Sequence, residues 1–137
     1  MAGDEFNVTI GVNPMRFMLV SFDDEQYWEA AGAAKHQAAM EEATALCHDL
    51  DRQGKYLFAT PLQPARTATL VRVRDGKTTV TAGPYAESRE VLGGFYIIEA
   101  ESVEEAAEIA SRHPGARHGT VEIRELWPLA GVPAAKL

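Results

Sequence analysis

The stretch RFMLVSF, residues 16–22, is apolar at almost every position, and this limits what the chain can become more than any other feature. A strand with one wet face alternates between apolar and polar; a run apolar on both sides belongs to a strand covered on both faces. Phe17 and Leu19 fall on one side of this run, and Met18, Val20 and Phe22 on the other. A second run, GFYIIEA at 94–100, repeats the pattern with Phe95 and Ile97 against Tyr96 and Ile98.

Around these two strands the remaining segments fall into place. DDEQYWEAAG, following the first strand, fits no element clearly. From Ala33 to Gln53 the residues His36, Ala39, Met40, Ala43, Leu46, Cys47 and Leu50 form one helical stripe, which Gly54 ends. YLFATPLQ, 56–63, reads as a strand that Pro61 and Pro64 place at an edge. In TATLVRVRDGKTTVTAG, two alternating runs meet at Asp75-Gly76, the signature of a β-hairpin. Ser102 stands three residues before Glu105, a capping box that opens a helix reaching Pro114. GTVEIRELWPL, 119–129, alternates as a last strand. The order is β-α-β-(hairpin)-β-α-β, which predicts an α+β, ferredoxin-like split βαβ sandwich with an added β-hairpin. Residues 1–14 read as an N-terminal extension, in which Phe6–Ile10 alternates enough to form an edge strand. Residues 15–129 form the domain, and 130–137 a C-terminal tail.

Two helices cover one face of such a sheet. The apolar second face of both strands therefore predicts a two-fold homodimer.

Composition excludes several classes. The 137 residues carry no 18-residue apolar run for a helical membrane span, and the acidic MAGDEFNVTIGVNP does not resemble a secretory signal. Cys47 is the single cysteine, so no internal disulfide forms, and a cytoplasmic location is expected. The net charge of -7 arises within residues 1–50, where nine carboxylates face Arg16 and Lys35. This opposes nucleic-acid binding. Arg66, Arg72, Arg74 and Lys77 form a loose basic group, read as the solvated edge of the hairpin or as a site for a small anionic ligand.

No metal-ligand spacing, nucleophile elbow, phosphate loop or dinucleotide fingerprint is present, so no metal and no cofactor is expected. Gly93-Gly94 leads into a strand, which suits close backbone approach or a bend. His36, on the apolar stripe, reads as a packing residue or as a proton-transfer group facing a cavity. Glu87 and Glu90 read as solvated charges or as acid-base carboxylates, and Tyr85 as a packing side chain or a pocket-lining hydroxyl. His118 could reach a rim, and with Arg72 and Arg89 it is a candidate ligand-binding residue. His113, before Pro114, suits a helix C-terminus, and Cys47 reads as a small buried apolar residue.

AGPYAESREVLGGFYIIEA, 82–100, resembles the signature of the YCII-related family in its DGPF-domain subgroup, and the likeness extends over 15–129. The resemblance implies a ferredoxin-like domain assembling as a dimeric α/β barrel, with a cleft between sheet and partner. It also implies an acid-base pair of a helix His and an Asp in the broader family; those positions here hold Ala43 and Ala82. Three readings of function follow. The leading one is a small binding protein with a cleft for a small molecule or a protein. The second is an acid-base lyase or isomerase of a small carboxylated metabolite, using His36, Glu87 and Tyr85 with Arg72 for the carboxylate. The third is a regulatory module partnering sigma-factor-like proteins, as some relatives suggest.

Overall fold

A computed structural model describes residues 15–136, so the extension at 1–14 and its suggested strand at Phe6–Ile10 lie outside the described residues. The chain forms β1 (Met15–Asp23), α1 (Glu25–Ala31), α2 (Ala33–Arg52), β2 (Tyr56–Pro61), β3 (Thr69–Arg74), β4 (Lys77–Ala82), β5 (Val91–Ala100), α3 (Val103–Ser111) and β6 (Thr120–Glu125). Strands β2-β5-β1-β6 make an antiparallel four-stranded sheet, and β3-β4 a separate two-stranded one.

The two-faced strands occupy the centre of the larger sheet, with β1 and β5 paired along their length. One face is buried: Phe17, Leu19, Tyr96, Ile98 and Ala100 pack under Leu46 and Leu50 of α2 and Ala106, Ile109 and Ala110 of α3. The opposite face, carrying Met18, Val20, Phe22, Phe95 and Ile97, is half-buried, and among the described residues no helix packs over it.

The expected dimeric α/β barrel is corrected here. The fold is a mixed α+β arrangement of two small open sheets, in which edge strands β2 and β6 are not bonded to each other. Four strands are too few for this sheet to close on itself, so it stays open along β2 and β6. The hairpin does not lengthen the main sheet either. Asp75 and Gly76 both have positive φ, 51° and 74°, which gives the tight turn whose twist suits a two-residue hairpin.

Local signals account for the helix ends. Ser102 accepts the backbone N–H of Glu105 at 3.1 Å, while the Glu105 carboxylate accepts the N–H of Glu101 at 2.8 Å. Asp24 caps α1 by accepting the N–H of Tyr27 at 3.1 Å. Gly54, at φ 74°, turns the chain out of α2. Among the described residues no helix is long and apolar enough to cross a membrane.

Candidate functional site

The apolar stripe of α2 divides into two uses. Its C-terminal half packs Leu46 and Leu50 into the core, 4% and 0% exposed. Its N-terminal half stands off the sheet, and His36, Met40, Ala43 and Cys47 line a cavity of about 790 Å³ instead. Trp28 of α1 extends that wall. Pro61 at the end of β2, Leu62 after it, and Arg66 in the short 3-10 turn at Ala65–Thr67 form the facing rim. Glu25 ties the two sides together by accepting the backbone N–H of Ala65 at 3.0 Å. The volume lies within the range of small-molecule sites.

The floor is polar and belongs to the buried face of the sheet. Ser21 follows Phe17 and Leu19 on that face of β1, and Tyr96 precedes Ile98 on that face of β5. Ser21 donates to Asp23 Oδ1 at 2.6 Å and lies 3.1 Å from His113 Nε2. Tyr96 Oη lies 2.8 Å from His113 Nδ1. An ionised carboxylate only accepts, so the single Ser21 proton points to Asp23, and Ser21 must accept from His113 Nε2–H. Nδ1 then accepts the Tyr96 proton. The hydrogen bonds run in one direction: Tyr96 to His113 to Ser21 to Asp23. Burial holds His113 below its ordinary range and so favours this neutral imidazole, and burial likewise pushes the Tyr96 hydroxyl well up.

Two glycines make room for this floor. A Cβ on Gly93 would sit 1.8 Å from Asp23 Oδ2, so only glycine lets the carboxylate lie over β5 at that point. A Cβ on Gly94 would meet the Thr60 carbonyl oxygen at 2.8 Å and Pro61 Cα at 3.0 Å, so Gly94 admits the backbone of β2.

The residues singled out from sequence are distributed differently. His36 lines the cavity at its outer wall, with its ring 5.9 Å from that of Trp28. His118 stacks on Tyr27 at 4.0 Å, lies 3.1 Å from its hydroxyl, and meets the Trp28 ring at 5.5 Å outside the cavity lining. Arg89 pairs with the capping carboxylate of Asp24 at 2.8 Å and holds that acid below its usual range. Tyr85 is 80% exposed beneath the Arg72 guanidinium, 5.8 Å from ring centre, and neither lines the cavity. Glu87 is exposed and also lies outside the lining. The structure thus joins Tyr85 to Arg72 but brings neither of them, nor Glu87, to His36.

Cys47 does face the cavity, where burial raises its thiol above the ordinary value and keeps it protonated. Asp23, Ser21, Tyr96 and His113 were missed from sequence. For Ser21, Asp23 and Tyr96 the one visible signal is polar atoms at inward positions of β1 and β5, and His113 reads from sequence only as suiting a helix C-terminus. Among the described residues no three His, Cys, Asp or Glu side chains converge as a metal site.

The sequence profile of the YCII-related domain family matches residues 15–130. An uncharacterized protein of Rhizobium meliloti (strain 1021) is similar to the chain, 30% identical over 114 residues, which covers 82% of this chain and 92% of that protein.

Proposed function

The chain belongs to the YCII-related domain family, and on that footing we propose that it is a binding protein for a small, largely apolar organic molecule held between α2 and the sheet. One observation carries this reading. The stripe of α2 leaves the sheet over half its length, yet the space beneath has apolar walls and a polar floor whose donors are all used. A gap left by poor packing would not place four hydrogen-bonding side chains in sequence at its base. Within the family, the segment 82–100 supports the DGPF-like subgroup, with Ala82 and Tyr85 in place of its Asp and Phe.

Catalysis is not part of this reading, because His36, Glu87 and Tyr85 do not converge. Native mass spectrometry of the purified protein, with Ala43→Phe as a filled-cavity control, tests it. Retention or uptake of a small organic molecule by the parent chain and loss in the variant is expected. Equal behaviour of the two would sink it.

A second observation supports self-association. Met18, Val20, Phe22, Phe95 and Ile97 form an apolar face over which, among the described residues, no helix packs, and which two chains would cover by meeting through their open sheets. Sedimentation of a Val20→Lys variant tests this: the parent chain is expected to sediment as a dimer and the variant as a monomer. A parent chain that stays monomeric at micromolar concentration would dismiss it.

A further inference from the structure

We propose that the cavity selects a small amphipathic amine, whose ammonium head donates to Asp23 while its apolar body lies against Trp28, Met40 and Ala43. The inference rests on the binding role proposed above and adds the chemical class of the ligand.

The directed hydrogen bonds decide what the floor can offer. Tyr96 spends its proton on His113, His113 spends its Nε2 proton on Ser21, and Ser21 spends its proton on Asp23. Every donor is committed, so what is left at the floor is acceptor capacity. Most of it is at Asp23. Its Oδ1 takes Ser21 at 2.6 Å, and Oδ2 has no hydrogen bond among the described residues. The carboxylate lies over Gly93, where a Cβ would overlap Oδ2 at 1.8 Å. A ligand that reaches the floor must therefore bring N–H or O–H groups.

Charge narrows the class further. At depth, Asp23 is the charged side chain of the lining, since burial keeps His113 neutral and the Cys47 thiol protonated. The other charged groups of the lining, Arg66, Glu25 and Glu29, are exposed at the rim, where solvent and salt screen them. His36 is exposed on the outer wall. A half-buried carboxylate that forms no ion pair among the described residues attracts a cationic head and repels a carboxylate. The Trp28 ring, on the wall of the same cavity, favours an apolar or aromatic body.

Three isosteric probes test the proposal: phenethylamine, 2-phenylethanol and phenylacetate, titrated at neutral pH by calorimetry into the parent chain, Asp23→Asn and Asp23→Ser. The expected order is amine, then alcohol, then carboxylate, with the amine at least tenfold tighter than the alcohol. In both variants that ratio falls to about one while the alcohol still binds, which also shows that the variants remain folded. Phenylacetate binding as tightly as the amine, or an amine preference that survives in both variants, overturns the proposal. Binding of the alcohol without an amine preference overturns it and leaves the binding role intact. Failure of all three probes overturns both.

Discussion

The Ser21 hydroxyl accepts the Nε2–H of His113 at 3.1 Å, joining the C-terminal end of β1 to the segment after α3 across 92 positions of sequence. Ser21 is 4% exposed and His113 is half-buried at the cavity floor. Ser21→Ala removes the acceptor and leaves a half-buried N–H without its partner, which costs about 1 kcal/mol. Urea unfolding should show a lower midpoint with an unchanged slope. A midpoint equal to that of the parent chain would mean that the contact is not formed.

Burial holds the folded His113 below the pKa of an unfolded histidine, and Arg117 nearby acts in the same direction, against the opposite pull of Asp23 and Glu42. The unfolded chain therefore binds more protons here once the pH falls below about 6.5. Stability from this group is complete above that value and declines as the pH drops towards the folded pKa. Replacing His113 by Gln should flatten the unfolding free energy between pH 5 and 7. The carboxylates of Asp24, Glu42, Asp49 and Glu105, all lowered chiefly by hydrogen bonds from basic partners, act in a more acidic window. An equally steep decline in the variant would assign the slope to other groups.

Gly93 and Gly94 should respond differently to alanine. A Cβ at 93 meets a side chain, that of Asp23, whereas one at 94 meets the backbone of Thr60 and Pro61. The double variant Gly93→Ala/Asp23→Ala should thus be less destabilised than the two single losses combined, by about 1 kcal/mol or more. Gly94→Ala should gain nothing from Asp23→Ala. Strict additivity at position 93 would show that the carboxylate does not lie over that glycine.

The two halves of the α2 stripe give a matching contrast. Leu50→Ala, at a site with no exposure, should cost about 2–5 kcal/mol. Met40→Ala, on the cavity wall, should cost about 1 kcal/mol or less, because its side chain already faces open space. Comparable losses would mean that α2 lies on the sheet along its whole length.

Much of this architecture was legible from local chemistry. The stripe from His36 to Leu50, the Asp75-Gly76 turn and the Ser102–Glu105 cap each follow from periodicity or turn geometry within a few residues. The glycine pair also pointed to close approach, although not to which group approaches. What could not be read is whatever depends on relations between distant segments. Apolar periodicity tells which side of α2 faces inward but not how far the helix stands from the sheet, so a core stripe and a cavity wall look alike. The polar floor joins β1, β5 and the turn after α3, and no spacing in the chain marks that convergence. Tyr85, Glu87 and Arg72 drew attention as chemically able groups in a Gly-Pro loop and hairpin, yet both segments lie away from the cavity. The two-faced strands were read correctly as strands. Closure into a barrel does not follow from them, since an apolar second face does not fix what covers it.

The most direct test of the central claim uses Trp28 as a reporter, since the other tryptophan, Trp127, is 91% exposed and can be replaced by Phe. Titrating 2-phenylethanol into Trp127→Phe should change the Trp28 emission in a saturable way, and adding Ala43→Phe should abolish the change while the protein stays folded. No saturable change in the first variant, or the same change in both, would contradict the account.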